Sequence, residues 1–177
     1  HQVSLGTFID APEDEPHLDA LRSRCADLHV ARLRPTRSRV NSLGGLIGGR
    51  ALTIDYYRDA GLRRWIAQTV ARTRIDAVVV FSSAMAQYAE GLPVPMIVDF
   101  VDVDSAKWSE YALHHRWPMS WLYRRESQHL LAHERQVAHR AVRSFFVTDK
   151  ETDLFRRLAP DCAELVEAIG NGVDAQA

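Results

Sequence analysis

Short, uninterrupted apolar runs recur along the chain and alternate with longer segments of helical periodicity. The runs cover residues 3–8, 77–81, 96–101, 145–148 and 165–169, with a weaker sixth run at 29–33. They are rich in β-branched and aromatic residues, and most are apolar at consecutive positions, which is typical of strands covered on both faces. The pattern therefore predicts five or six buried parallel strands.

Between these runs, apolar residues recur with the period of an amphipathic helix. Within residues 62–70 the apolar side chains share one helical face and most of the polar ones lie opposite. Shorter helices are predicted at 17–25 and at 151–158, where Thr148 provides a cap, and the longest helix at about 119–143. Strands that alternate with helices imply right-handed βαβ crossovers, so we expect an α/β, Rossmann-like parallel sheet flanked by helices.

Residues 34–50 are looser in pattern and combine four glycines with a basic cluster. The glycines lie in Gly44-Gly45-Leu46-Ile47-Gly48-Gly49, and the basic cluster consists of Arg34, Arg37 and Arg39. Two interpretations stay open, a mobile loop over an anionic ligand and an ordinary solvated crossover. The stretch lacks the G-x-G-x-x-G order of a dinucleotide site.

The composition is that of a globular protein with one domain. The chain has 177 residues, of which 46% are hydrophobic and 25% charged. Its 22 basic and 23 acidic residues leave a net charge of -1, so the overall charge does not suggest nucleic acid. Cys25 and Cys162 share no motif spacing and indicate reduced thiols of a cytoplasmic protein. No apolar run approaches the roughly 20 residues of a membrane-spanning helix.

Arginine supplies nearly all of the positive charge, because Lys107 and Lys150 are the only lysines. Arginine suits phosphate and carboxylate groups, although a GC-rich genome produces the same bias. The chain opens on a strand pattern without a methionine or a signal peptide, so we expect a segment upstream of His1.

Two serines follow the apolar run at 77–81. Ligands of an open parallel sheet bind beyond the carboxyl ends of its strands, and Ser82 and Ser83 lie at such an end. Their hydroxyls and a following helix N-terminus favour an anion or sugar hydroxyls. The alternative is a plain helix cap.

Three carboxylates lie within and just after the run at 96–101. Carboxylates beside an apolar strand cost free energy of folding unless they are paired, hydrated or functional, and three lie here: Asp99, Asp102 and Asp104. They suggest a catalytic base, a carboxylate pair that grips sugar hydroxyls, or a divalent-metal site. For Asp104 the preferred interpretation is a cap of the next helix, with Lys107 neutralising a neighbour.

The stretch 108–143 interleaves aromatic residues with arginines. It includes Trp117, Trp121, Arg124 and Arg125 and has few acidic residues. This composition suits an anionic membrane surface or a lipid-phosphate acceptor. The alternative is a core helix whose aromatic side chains pack inward. Its histidines are too dispersed to suggest zinc.

Several stretches of the chain carry a family resemblance. They are residues 51–60, 81–88, 98–108 and 116–126, and the last two contain the specific motifs Asp-Phe-Val-Asp-Val-Asp and Arg-Trp-Pro-Met-Ser-Trp. They resemble the sugar transferases associated with PEP-CTERM exosortase and exopolysaccharide gene clusters, within family 4 of the retaining glycosyltransferases. Gly170-Asn171-Gly172-Val173-Asp174 is similar to the Asn-Gly-Val-Asp that ends the N-terminal domain across family 4.

The resemblance implies the GT-B architecture of two Rossmann-like domains facing each other across a cleft. Residues 1–174 would be the N-terminal, acceptor-side domain, and 175–177 the start of an interdomain linker. The first strand with its glycine-bearing loop and the C-terminal donor domain would both be missing, so these residues alone should not transfer sugar. Such enzymes generally need no metal, because helix dipoles and basic side chains of the donor domain stabilise the departing diphosphate. We therefore expect no cofactor, and the nucleotide sugar would bind mainly to the missing donor domain.

The resemblance also suggests roles for individual residues. Asp99 and Asp102 would contact acceptor hydroxyls or the reacting sugar, although family members often have a histidine near Asp99. Asn171 and Gly172 would form the hinge edge of the cleft. The following residues are thus predicted to bind the acceptor: Ser82, Ser83, Asp104 and Lys107.

The full protein would transfer a sugar from a nucleotide sugar to a glycan or polyprenyl-linked acceptor in exopolysaccharide biosynthesis. We expect a cytoplasmic protein in peripheral contact with the inner membrane and without a nucleic-acid partner. A different class stays open, a flavodoxin-like or receiver-like module whose acidic cluster binds a metal or another ligand without sugar chemistry.

Overall fold

The computed structural model describes residues 1–33, 35–42 and 44–172 and has an α/β fold. The strands are β1 (Ser4–Ile9), β2 (Asp27–Arg32), β3 (Val78–Phe81), β4 (Met96–Val101), β5 (Arg143–Phe146) and β6 (Val166–Ala168). The α-helices are α1 (Leu18–Arg24), α2 (Pro35–Ser42), α3 (Gly44–Gly48), α4 (Leu52–Tyr56), α5 (Ala60–Arg72), α6 (Asp104–Leu113), α7 (Met119–Arg140) and α8 (Asp149–Leu158). Short 3-10 helices span Pro12–His17, Ser83–Tyr88 and Pro160–Leu165.

Some predictions fall on residues outside those ranges. The proposed linker at 175–177 and the Val173-Asp174 end of the family motif lie outside the described residues. The same holds for Arg34 and for the side chains of Arg37 and Arg39, so the basic cluster predicted around them is not described.

The parallel, Rossmann-like fold class is confirmed, and each of the six apolar runs overlaps a strand. The run at 145–148 is displaced, because β5 begins at Arg143 and ends at Phe146. Thr148 instead caps α8, and its side chain accepts a hydrogen bond from the backbone N–H of Glu151, as predicted.

The strands form two parallel sheets and not one. β1 pairs with β2, and β3, β4, β5 and β6 form a second sheet in that order. Each strand of both sheets runs parallel to its neighbour. Among the described residues, no backbone pairing joins β1 to β3, so the predicted sheet is divided at that position.

One face of the four-stranded sheet carries the main core. Val98 and Phe146 are fully buried there against Val137 of α7. Phe100 stacks on Phe146 and on Phe155 of α8, with ring centroids 5.1 and 5.9 Å apart. Burying an aromatic or aliphatic side chain of this size contributes about 1.5–3 kcal/mol, so this layer fixes the position of α7 over the sheet.

The two sheets are held in place by α5 and the segment Ser83–Tyr88. Leu62 of α5 is completely buried in a cluster with Ala31 of β2 and Tyr88. The Tyr88 hydroxyl also accepts a hydrogen bond from the Asp59 backbone N–H and donates one to the Tyr57 carbonyl. Side chains therefore connect the sheets where the strands do not.

Residues 35–42 and 44–48, predicted to be loose, form the short helices α2 and α3. The end of this segment, at and after α3, is contacted by a residue far along the chain. The guanidinium of Arg125 on α7 donates hydrogen bonds to the carbonyl oxygens of Gly45 at 2.7 Å and Arg50 at 3.1 Å. Gly49, with φ of +64°, supplies the left-handed conformation that commonly ends a helix. The described part of this segment is thus helical, and a role over an anionic ligand stays a prediction.

Candidate functional site

A cavity of about 1230 Å³ lies between β1 and β3. Where it reaches the residues that follow the strands, its lining changes from aliphatic to mixed polar and aromatic. The residues of this mouth are Thr53, Tyr57, Ser82, Asp104, Lys107, Trp108 and Tyr111. The carboxyl ends of parallel strands are the expected position of a ligand in an open α/β sheet.

Lys107 joins two of the predicted aspartates. Its ammonium nitrogen lies 2.8 Å from Asp102 Oδ2 and 3.2 Å from Asp104 Oδ1. Partial burial alone would lower the pKa of Lys107, but the hydrogen bonds that its ammonium donates to both carboxylates outweigh burial and raise the pKa above its ordinary value. The ammonium has three donors, so one remains for a ligand when the two carboxylates hold the others. The expected neutralisation of these acids by Lys107 is confirmed.

The capping role predicted for Asp104 is wrong. Helix α6 begins at Asp104 itself, and its N-cap position is Val103. The backbone N–H of Ser105, in the first turn of α6, instead donates a hydrogen bond to Glu134 of α7 at 3.1 Å. The Ser105 hydroxyl donates a second hydrogen bond to the same carboxyl group at 2.5 Å. Asp104 therefore does not cap the helix. It lies in the first turn of α6, where the helix N-terminus favours a negative charge, and it lines the cavity mouth.

The two serines after β3 have different positions. Ser82 is the N-cap residue of the following 3-10 helix, makes no side-chain capping bond and lines the cavity. Ser83 is 1% exposed, and its hydroxyl lies 3.5 Å from Asp104 Oδ2. His133 of α7 bonds the Ser83 carbonyl at 3.0 Å, and burial lowers the pKa of this histidine. Of the pair, Ser82 is the one placed to meet a ligand.

Asp99 is separated from this group. Its Oδ1 accepts a hydrogen bond from the backbone N–H of Val101 at 3.0 Å, at a bulge where the pairing with β5 changes register. Val101 has φ of +68°, a conformation that is unusual for a β-branched residue and costs about 1–3 kcal/mol. Asp99 thus supports a strained strand end, and it is not among the described residues that line the cavity.

Two buried glutamates of α7 hold the edge of the site, and neither was predicted. Glu134 is completely buried, and this burial raises its pKa to about 8. Glu126 is 2% exposed and accepts hydrogen bonds from the Leu52 and Thr53 backbone N–H groups at 2.7 and 2.8 Å, which caps α4. The signal was present in the sequence, because Glu126 and Glu134 lie four positions on either side of the core residue Leu130.

Aromatic side chains border the cavity mouth. Trp108 contacts Tyr111 and Tyr123, with ring centroids 5.8 and 5.4 Å apart, and Tyr111 is half exposed. An indole or phenol presents a flat apolar face and a polar edge, which suits the alternating surface of a sugar ring. Here aromatic side chains lie next to carboxylates and an ammonium.

The predicted surface residues of 108–143 occupy different environments. Trp117 and Trp121 are 80% and 53% exposed, so the inward-packing interpretation is wrong for both. Arg124 reaches the Ser120 hydroxyl at 3.5 Å and is exposed. The guanidinium of Arg125 donates hydrogen bonds to the carbonyl oxygens of Gly45 and Arg50. Within the part of the chain that the structure describes, no helix has both the length and the apolar character to cross a membrane.

Asn171 and Gly172 follow β6 and are both exposed. They lie after the carboxyl end of the last strand of the sheet. The predicted role at a domain edge stays a prediction.

A second polar cluster lies where α7 meets Pro160–Leu165. The potential ligand atoms of His139, Asp161 and Cys162 lie within 4.8 Å of one another. Hydrogen bonds from His139 and Arg135 lower the pKa of Asp161 to about 2, while burial raises the pKa of the Cys162 thiol to about 11. The guanidinium of Arg135, 2.9 Å from Asp161 Oδ1, already supplies the positive charge, so the cluster is an ion-pair network that ties α7 to this segment.

Comparison with known proteins gives no further assignment, since no protein-family model and no curated protein matches the chain.

Proposed function

We propose that the chain is the acceptor-binding domain of a retaining glycosyltransferase, whose full form moves a sugar from a nucleotide sugar to a glycan or lipid-linked acceptor. The proposal rests on the family resemblance of the sequence and on one observation in the structure. That observation is the grouping of Lys107, Asp102 and Asp104 beside aromatic side chains at the mouth of a large cavity. By the same resemblance, we place the protein in exopolysaccharide biosynthesis.

The charges at the mouth favour a polar, multi-hydroxyl ligand over an apolar one. Asp104 offers carboxylate oxygens that accept hydrogen bonds from sugar hydroxyls, and Lys107 offers a donor to a ring, hydroxyl or phosphate oxygen. Trp108 and Tyr111 supply surfaces on which a sugar ring stacks. Together these groups bind and orient an acceptor so that one hydroxyl points away from the domain.

Asp102 and Asp99 have positioning roles in this proposal. Asp102 holds the Lys107 ammonium at 2.8 Å and so fixes its direction toward the mouth. Asp99 stabilises the strained turn at Val101, from which Asp102 follows directly. The nucleotide sugar would bind a donor domain elsewhere in the polypeptide, and its diphosphate would leave there.

We also propose a peripheral membrane contact at the turn between α6 and α7. Leu113, Trp117 and Trp121 are 82%, 80% and 53% exposed there, and Arg116 lies beside them. Exposed Trp and Leu side chains with neighbouring arginines match the composition of segments that rest in the headgroup layer of an anionic bilayer. A lipid-linked acceptor would then be presented close to the cavity mouth.

Acceptor binding is tested by calorimetric titration of the chain with water-soluble, short-chain polyprenyl diphosphate sugars. Lys107→Met should weaken binding by roughly 10- to 100-fold, because a hydrogen bond to a charged group contributes about 1.5–3 kcal/mol. Lys150→Met removes the only other lysine, from the exposed surface of α8, and should leave binding unchanged. Equal effects of both substitutions, or tight Mg²⁺ binding without sugar binding, would contradict the proposal.

Transfer itself is tested in the polypeptide that includes a donor domain, with a panel of nucleotide sugars. Asp102→Asn should lower the transfer rate because Lys107 loses its hydrogen-bond partner, and Asp153→Asn, in an exposed ion pair of α8, should not.

Membrane contact is tested by co-sedimentation with phosphatidylcholine vesicles with and without phosphatidylglycerol. Trp117→Ala with Arg116→Glu should abolish the binding to anionic vesicles.

A further inference from the structure

Tyr57 is held rigidly at the cavity mouth. It follows the last residue of α4, and its carbonyl oxygen accepts hydrogen bonds from the Tyr88 hydroxyl and, at 3.5 Å, from the Gln87 amide. Its ring meets those of Phe8 and Tyr56 edge-on, with centroids 5.8 and 5.1 Å apart. Because backbone and ring are both fixed by the protein, a ligand that contacts Tyr57 pays little entropy for ordering it.

The hydroxyl of Tyr57 has no such partner. No described residue exchanges a hydrogen bond with it, although the side chain is half-buried and lines the cavity. Burial raises the pKa of Tyr57, and the negative charges of Asp10 and Asp104 act in the same direction. At neutral pH the phenol therefore keeps its proton, and it offers one O–H donor and one acceptor oxygen to a ligand in the mouth.

The carboxylates that act on this phenol leave negative charge in excess. Asp10 directly follows β1, is exposed and forms no ion pair with a described residue. Asp104 shares the ammonium of Lys107 with Asp102, at 3.2 and 2.8 Å, so two negative charges meet one positive charge. An anionic ligand therefore finds the ammonium already neutralised and one carboxylate still uncompensated.

The neighbouring arginines do not supply the missing positive charge to the mouth. Arg58, the residue after Tyr57, and Arg50 both turn to Asp55, at 2.7 and 3.1 Å, and neither lines the cavity. Among the described residues of the mouth, Lys107 is the only one with a cationic side chain. The balance of charge that a ligand meets there is negative.

Two aromatic side chains act in the same direction as the carboxylates. Trp108 and Tyr111 both line the mouth, and their rings lie 5.8 Å apart at an angle of 86°. The face of an indole or phenol ring carries partial negative charge, which attracts an ammonium and repels a carboxylate. The aromatic border thus also favours a neutral or positively charged ligand.

We propose that the cavity mouth selects a neutral or basic sugar and rejects an acidic one, and that Tyr57 is a further residue that binds the hydroxyls of this sugar. The selection rests on the proposed function and deepens it, since it names the chemical class of the acceptor. Tyr57 and Asp104 contact the ring from the end of α4 and from the first turn of α6. A uronic acid would bring its carboxylate close to Asp104, well within the roughly 8–10 Å over which charges interact in physiological salt.

Three ligands test the selection by charge. Each is the same short-chain polyprenyl diphosphate, linked to glucose, to 6-amino-6-deoxyglucose or to glucuronic acid, so the three differ only in the group at carbon 6. In calorimetric titration, the glucuronic acid ligand should bind roughly tenfold more weakly than the glucose ligand, because its charge is repelled. The amino sugar should bind at least as tightly as glucose.

The source of the selection is tested by removing one carboxylate. Asp104→Asn should reduce the disadvantage of glucuronic acid against glucose from roughly tenfold to about threefold, because Lys107 and Asp102 then balance each other. Asp153→Asn removes the same charge from the surface of α8 and should leave the ratio unchanged. A ratio that Asp104→Asn does not alter would overturn the assignment of the selection to this site.

Tyr57→Phe tests the phenol, because it deletes the hydroxyl and keeps the ring contacts. It should weaken the binding of the glucose ligand about three- to tenfold, the value of one hydrogen bond, and leave the urea midpoint of unfolding unchanged. Tyr123→Phe deletes a hydroxyl from a ring that packs on Trp108 and is not among the described residues lining the cavity, so it should change neither quantity. Unchanged glucose binding by Tyr57→Phe would overturn the role of the phenol.

The titrations separate failure of this selection from failure of the proposed function. Equal affinities for the three sugars, or tightest binding of glucuronic acid, would overturn the selection and leave sugar binding in place. If none of the three ligands binds, the proposed function fails and the selection fails with it.

Discussion

Replacing Glu134 by glutamine should make the protein more stable at neutral pH and its stability less dependent on pH. Burial raises the pKa of Glu134 from its ordinary 4.5 to about 8, and the negative charge of Asp104 acts in the same direction. At pH 7 the carboxyl group in the folded protein therefore keeps its proton, while the unfolded chain has lost it. One carboxyl oxygen accepts a hydrogen bond from the Ser105 hydroxyl, and the other accepts one from the Ser105 N–H.

The direction of the pH dependence follows from this difference in bound protons. Between pH 4.5 and 8 the folded state binds one proton more than the unfolded state at this site. The contribution of Glu134 to stability is complete below pH 4.5 and is lost as the pH rises toward 8. The free energy of unfolding should fall by about 1.4 kcal/mol for each pH unit, at most about 5 kcal/mol in all. That is a large part of the roughly 5–15 kcal/mol that stabilises a typical protein.

Glutamine removes the ionisation and keeps both partners, because the Ser105 hydroxyl can rotate to accept from the amide NH2 while the amide carbonyl accepts from the Ser105 N–H. Urea unfolding of the protein and of Glu134→Gln at pH 5, 6, 7 and 8 measures the effect. The two should be similar at pH 5, and the variant should be increasingly more stable toward pH 8. Glu110→Gln, at an exposed position of α6, controls for the change in net charge. A difference between protein and variant that is constant from pH 5 to 8 would refute the reasoning.

Three further substitutions test the packing around the site, each measured by urea unfolding. Glu126→Ala should cost roughly 2–5 kcal/mol, because two N–H groups at the start of α4 lose their acceptor, and hydrogen exchange should accelerate in α4. Gly6→Ala should cost about 1–3 kcal/mol, because its Cβ would lie 2.7 Å from Leu62 Cδ1, whereas Gly170→Ala, with open space around it, should be neutral. Thr148→Ala should cost about 1 kcal/mol through the lost cap of α8. Losses below 0.5 kcal/mol in all three would contradict the contacts assigned to them.

Local patterns in the sequence were sufficient to predict the strands and most of the helices. The run at 96–101 is β4 to the residue, and the helix predicted over 62–70 lies within α5. Such elements are predictable because their own periodicity records which face is buried. The contacts that hold α3 were not predictable in this way, because they include hydrogen bonds from Arg125, more than 70 residues away in sequence.

The candidate site was predicted in part. Strand ends indicated Ser82, Asp102, Asp104 and Lys107, and the structure places these residues after β3 and β4 near one cavity. The sequence could not show that the Asp99 carboxylate accepts a hydrogen bond from the Val101 N–H at the end of its own strand, because that contact depends on the left-handed conformation of Val101.

The glutamates of α7 were missed for a different reason. Their spacing from the core residue Leu130 places them on the buried face of the helix, but the sequence does not show which groups they bind there. Each glutamate accepts from a side-chain hydroxyl and from backbone N–H groups, and the backbone groups have no signature in the sequence.

The contacts of α7 with the loops also restrict how the sequence can change over evolutionary time. One helix caps α4 through Glu126, holds the segment after β3 through His133 and caps α6 through Glu134. A loop residue that loses its partner on α7 therefore requires a compensating change on the helix. Among homologous sequences, position 126 should covary with the start of α4 and position 134 with the start of α6. Insertions near the cavity mouth should accumulate in the α6–α7 turn, which none of these three contacts restrains.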